Sequence, residues 1–140
     1  MSKKIRLLIF LSVAVIASCA EKGTNVYRTW VGPERSDMAV VTLHLGTDVK
    51  DVTIRERELP RSEYGTLRLV PGKYTLHERD DIIIGFTIRP ILVDAARARA
   101  HGELILGHTY TLHAGKSDET KERALWIEDA RSGEVFIDKR

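Results

Sequence analysis

The chain has 140 residues, with 22 Lys and Arg against 20 Asp and Glu, and 43% of its residues are hydrophobic. That length suits one domain with its own core, and the near balance of charge excludes the basic footprint of a nucleic-acid binder. A single cysteine excludes any disulfide within the chain, so its stability must rest on packing.

Lys3, Lys4 and Arg6 precede a run, residues 7–17, that is apolar except for Ser12. This is the layout of a secretory signal peptide, and eleven residues fall well short of the ~20 that span a bilayer. The small residues Ala17 and Ser18 stand directly before Cys19. Removing residues 1–18 leaves 19 basic residues against 20 acidic, a net charge of −1. Residues 19–25 then read as a short linker, of which six extended residues reach only ~20 Å.

From residue 26 the pattern is of short strands divided by Gly, Pro, Asp and Asn. "MAVVTLHLG" (38–46) sets Val41, Leu43 and Leu45 against Thr42 and His44, and "DVTIRERE" (51–58) sets Val52 and Ile54 on one face. "GTLRLVPGKYTLHER" (65–79) predicts two strands joined by a type II turn at Pro71-Gly72, with Tyr74 and Leu76 inward and Lys73, Thr75 and His77 outward. "DIIIGFTIRPILV" (81–93) is a longer strand that Pro90 ends or holds at an edge.

"AARARAHGELIL" (95–106) supports two readings. Asp94 and the helix formers suit a short capped helix. The alternation of Ala96, Ala98, Ala100, Gly102, Leu104 and Leu106 with Arg97, Arg99, His101 and Glu103 suits a strand, paired with 109–114, and is preferred. Its small inner residues leave room for Trp30 or Trp126. "HTYTLHAG" (108–115), "RALWIED" (123–129) and "GEVFIDK" (133–139) complete the pattern, the last two forming a hairpin through Ser132-Gly133. "GKSDETKER" (115–123) reads as a polar, mobile loop. The predicted fold is all-β: a single antiparallel β-sandwich over residues 26–140, Ig-like or transthyretin-like in kind.

The segment Ile16-Ala17-Ser18-Cys19 resembles the lipobox of bacterial lipoproteins. The resemblance implies cleavage before Cys19, a diacylglycerol on its thiol and an acylated amino terminus. No aspartate follows Cys19, which by the same resemblance implies sorting to the outer membrane, facing the periplasm of a Gram-negative cell. Two further stretches, Leu69-Val70-Pro71-Gly72-Lys73-Tyr74 and Gly107-His108-Thr109-Tyr110, together with "YRTWVGPER" (27–35), resemble PEGA-like and transthyretin-like exported lipoprotein domains. That likeness implies a fold and carries no activity.

Chemistry is sparse. His44, His77 and His113 fall on outward strand positions and His108 in a turn, and no His-Glu-x-x-His spacing is present, so solvent-facing histidines are preferred to a metal site. Ser36, Ser62, Ser117 and Ser132 sit in polar loops without a nucleophile-elbow setting. Asp80-Asp81 and Glu128-Asp129 adjoin turns and read as solvated carboxylates rather than a glycosidase pair. Arg97, Arg99 and His101, with Arg55, Arg57 and Arg68, form a candidate cationic contact surface, although the interleaved glutamates favour cross-strand pairing. Trp30 and Trp126 read as core aromatics, with residues 29–33 as an alternative exposed edge.

The expectation is a noncatalytic interaction or scaffold module of the cell envelope, lipid-anchored at Cys19, with an envelope protein or peptidoglycan as partner. It needs no cofactor, metal or nucleic acid. The alternative is a small periplasmic binding protein for a ligand or metal, using the space over residues 96–102.

Overall fold

A computed structural model of the chain describes residues 23–79 and 82–140. Cys19 and the whole expected signal segment lie outside the described residues, as does the Asp80-Asp81 pair. Among the described residues, no helix is long and apolar enough to cross a membrane.

The strands are β1 (Asn25–Arg28), β2 (Val41–Leu45), β3 (Val52–Ile54), β4 (Arg57–Leu59), β5 (Tyr64–Leu69), β6 (Gly72–Glu78), β7 (Ile82–Ile88), β8 (Glu103–Leu104), β9 (Thr109–Lys116), β10 (Arg123–Asp129) and β11 (Val135–Asp138). A single helix, α1 (Ala95–His101), and a 3-10 turn at Asp37–Ala39 complete the elements. A six-stranded sheet runs β1-β5-β2-β9-β10-β11, and a five-stranded sheet runs β4-β3-β6-β7-β8. The fold is all-β, as expected, with one core shared by residues of both sheets, among them Leu43, Leu67 and Leu112 from the first and Ile54, Leu76 and Ile84 from the second.

The sheets are mixed and not purely antiparallel. β1 runs parallel to β5, β2 to β9, and β7 to β8. The reason is connectivity: the chain leaves the first sheet after β2, returns at β5, leaves again at β6 and returns at β9. These returns place β5 beside β1 and β9 beside β2 in the same direction, and the crossover through α1 does the same for β8 beside β7.

Within strands the alternation holds. Val41, Leu43 and Leu45 are buried beside the outer Thr42 and His44, and Tyr74 and Leu76 are buried beside Lys73, Thr75 and His77. β10 and β11 pair antiparallel through a loop in which Gly133 takes φ 77°. Pro71-Gly72, by contrast, carries the chain from one sheet to the other. Gly72 is extended and faces Ile88 in β7, so the predicted type II turn is absent.

Residues 95–101 are helical, against the preferred strand reading. The Asp94 side chain accepts from the Arg97 N–H at 2.9 Å, and Gly102 closes the helix in the left-handed region (φ 65°, ψ 40°). These two caps outweigh an alternation in which only Ala98 is buried. The short β8 that follows pairs with β7 and not with β9. The small-residue strand over which a binding space was expected at 96–102 is therefore absent.

Neither tryptophan is in the core. Trp126 lies on the outer face of the six-stranded sheet, stacked with His113 (centroids 5.5 Å apart) and under the Arg140 guanidinium at 4.5 Å. Trp30 is held outside by its Nε1–H donating to the Pro33 carbonyl at 3.0 Å. The loop from β9 to β10 closes through Ser117 N–H to the Glu122 carbonyl at 2.7 Å.

The two ends of the layered structure are distinct. The Gly23 N–H donates to the Arg61 carbonyl, so the chain enters beside the loops at 46–51, 60–63 and 117–122. β5 leads away from this entry end, and its last residue, Leu69, faces Val41, the first of β2. The segments 29–40, 89–94, 105–108 and 130–134 therefore lie at the far end, where Gly107 N–H reaches the Val40 carbonyl and Ala130 N–H the Thr109 carbonyl.

Candidate ligand-binding cleft at the far end

A cleft of about 640 Å³ opens at the far end between the 3-10 turn, the β7–α1 connection, the β8–β9 turn and the β10–β11 loop. That volume lies in the range of small-molecule sites, roughly 300–1,000 Å³. Two smaller openings, of about 350 and 480 Å³, lie over the outer face of the five-stranded sheet and beside Arg123 at the entry end.

One wall is apolar. Met38 and Leu92 are 62% and 66% exposed there, above the buried Phe136. Met38 is presented by the 3-10 turn, whose Ser36 hydroxyl accepts from the Met38 N–H at 3.2 Å. Gly107 makes its position possible, because at φ 84° a Cβ there would meet the Met38 sulfur at 2.9 Å.

The other wall is polar. His108 enters β9 from the turn, and its Nδ1 lies 3.1 Å from Asp129 Oδ2. Asp129 is buried at the end of β10, where its Oδ1 also accepts from the N–H groups of Arg131 (2.8 Å) and Ser132 (2.9 Å). Burial works to raise its pKa. The Ser132 N–H, the His108 ring and the Arg131 N–H outweigh it and hold the carboxyl below its ordinary range. The carboxylate fixes Nδ1 as the donor, which leaves His108 Nε2 with no partner among the described residues.

Beneath His108, Tyr110 is buried, stacks with the imidazole (6.1 Å) and meets Phe136 edge-on (5.2 Å). Its hydroxyl oxygen accepts from the Ile105 N–H at 2.9 Å, and burial, with the nearby Asp129 charge, pushes its pKa far up. Tyr110 is a neutral ring that supports the imidazole from within the core. At the rim Glu134 is paired with Arg99, while the Arg131 guanidinium meets no carboxylate among the described residues.

Arg97 and Arg99 sit on α1, with His101 exposed at its end. Arg97 lies 3.5 Å from Glu103, and Arg99 lies over Phe136 (5.8 Å) at the edge of the cleft. They do not join Arg55, Arg57 and Arg68 in one cationic face. Arg68 pairs with Asp37 at 2.7 Å, while Arg55 and Arg57 lie over the rings of Tyr74 and Tyr27. Among the described residues, no three His, Cys, Asp or Glu side chains are placed to hold a metal.

The sequence reading reached His108 only as a turn residue and treated Asp129 as a solvated carboxylate. A signal for Asp129 was present: an aspartate three residues before Ser132 is an Asx-turn pattern, which draws the side chain back onto its own loop. Nothing local marked Met38, Leu92 or Phe136 as neighbours. No protein-family model matches the chain, and no curated protein or solved structure matches it either.

Proposed function

We propose that this protein is an outer-membrane lipoprotein, acylated at Cys19 and facing the periplasm, whose β domain is a noncatalytic interaction module of the cell envelope. The two mixed sheets are read as a β-sandwich of the Ig-like or transthyretin-like kind. The observation that carries the function is the polarity of the domain. Gly23 is already tied to the entry end, and the four residues from Cys19 span at most ~14 Å, which holds that end against the membrane. Val31, Met38, Ile91 and Leu92, four of the five large apolar side chains exposed among the described residues, are all at the opposite end. An anchored domain with its apolar side chains turned away from the lipid is suited to meet something in the periplasm.

A second reading, a ligand-binding lipoprotein, is favoured by the oriented His108 and the unpaired Arg131 in the same cleft. The first reading is tested with a photo-crosslinking residue placed in cells at Leu92, at the far end, and at Glu119, at the entry end, in the anchored protein. The expected result is a discrete adduct from position 92 and none from 119. Adducts equal at both positions, or none from 92, reject it.

A further inference from the structure

The far end is charged in one sense as well as apolar. Its carboxylates each have a cation or a donor close by: Glu34 has Arg28, Asp37 has Arg68, Asp94 the Arg97 N–H, Asp129 has His108 and Glu134 has Arg99, while Glu103 Oε1 lies 3.5 Å from Arg97 without a hydrogen bond. Among the described residues, Arg35, Arg89 and Arg131 at this end have no such partner, Arg35 lying over the Trp30 ring, and of the three only Arg131 lines the cleft. The cleft therefore offers an apolar wall, one unneutralised guanidinium and one imidazole nitrogen held outward by a buried carboxylate. A guanidinium fork matches a planar carboxylate, and an unpaired cation beside exposed apolar side chains is complementary to an anion with an apolar body.

We propose that the cleft binds a small amphipathic carboxylate, its apolar part on Met38, Leu92 and Phe136 and its head on Arg131 and His108 Nε2. This rests on the far end being the binding end, and it adds the chemistry of what is bound. The neutral His108 ring donates through Nδ1 to Asp129, so Nε2 can donate to a carboxylate only once it gains a proton. The charged groups around the ring are Asp129 from β10, and Arg131 and Glu134 from the β10–β11 loop, Glu134 being paired with Arg99; the buried Tyr110 of β9 stacks against the imidazole. Of these charges only Glu134 is balanced by a fixed opposite charge, that of Arg99. A bound carboxylate and Asp129 then share the imidazolium, and binding takes up a proton. Affinity consequently rises as pH falls from 8 to 6.

The probe is decanoate, titrated by calorimetry and by methyl NMR into the chain from residue 19 with Cys19→Ser; residues 23–140 carry the entire described core and so supply a folded domain. Decanol and decyltrimethylammonium are the controls. The expected result is saturable decanoate binding that shifts the Met38 methyl signal, at least tenfold weaker binding of both controls, and proton uptake between pH 8 and 6. Arg131→Gln should weaken decanoate about tenfold, and His108→Gln should abolish the pH dependence while leaving the fold intact by circular dichroism. Equal binding of decanol, a pH-independent affinity, or no Met38 shift at saturating decanoate overturns the proposal. A position-92 adduct in cells together with any of those results overturns the ligand chemistry and leaves the interaction reading standing.

Discussion

The two ends of the domain handle polar groups in opposite ways. At the entry end they are used on one another. The Arg61 guanidinium donates to four backbone carbonyls, those of Leu45, Gly46, Val49 and Tyr64, at 2.8–3.2 Å. Glu78, 1% exposed, receives Arg123 in a bidentate pair at 2.6 and 2.9 Å and the Lys50 N–H at 2.8 Å, which ties the two sheets together. At the far end the buried carboxylate holds a histidine outward, a neighbouring guanidinium is unpaired, and apolar side chains stand in solvent. One end is closed on itself and contributes stability; the other is left open and is where binding chemistry can reside.

Breaking the entry end should have the largest effect. Glu78→Ala leaves Arg123 without its carboxylate between the sheets and is expected to cost about 3 kcal/mol in urea unfolding, with Arg123 still partly hydrated. A loss below about 1 kcal/mol would show that the pair does not lock the sheets. Arg61→Met, which removes the donor to four carbonyls but keeps the apolar stem, should cost about 2–3 kcal/mol, and Arg61→Lys should recover only part of it.

The same contacts set the acid limit. Burial works to raise Glu78, but the Arg123 and Lys50 donors outweigh it and lower its pKa, as Asp129 is lowered at the far end. Both folded-state values lie below the unfolded ones, so their contribution is complete above the ordinary carboxylate range and disappears as pH falls through the lowered folded values. The urea midpoint should hold from pH 8 to about 5 and drop below about 4.5. In Glu78→Ala the drop should be shallower.

A smaller effect of opposite sign is expected at the β3–β4 turn. Arg55 and Glu56 hold φ 50° and 64° in a two-residue hairpin loop that favours Asn-Gly. Arg55→Asn with Glu56→Gly should raise stability by about 1 kcal/mol. The smallest effect on stability belongs to the far end: Met38→Ser should change the unfolding free energy by no more than about 0.5 kcal/mol while removing the position-92 adduct. Loss of fold in Met38→Ser would mean that the cleft wall is part of the core and the contrast between the ends is false.

How much was legible follows from how local each feature is. The inward and outward faces of β2, β3 and β6 were readable because alternation is a property of consecutive residues. The helix at 95–101 was misread because Ala and Arg alternate there without a buried face to match, while the caps, Asp94 and Gly102, carried the information. Trp126 looked like core by composition. It lies outside because Gly115, across from Ala124, gives the indole a place on the outer surface, where a Cβ would approach it at 3.1 Å. The cleft was the least legible feature, since Met38, Leu92, His108, Arg131 and Phe136 come from five separate segments.

By itself the sequence determined which residues face inward along most strands and the all-β class, because each depends on spacing within a few residues. Only the tertiary structure decided the strand partners, the three parallel pairs, the burial of Asp129 under His108 and the gathering of exposed apolar side chains at one end. Those depend on where the chain returns after leaving a sheet, and the energy that fixes the return is summed over a core drawn from both sheets.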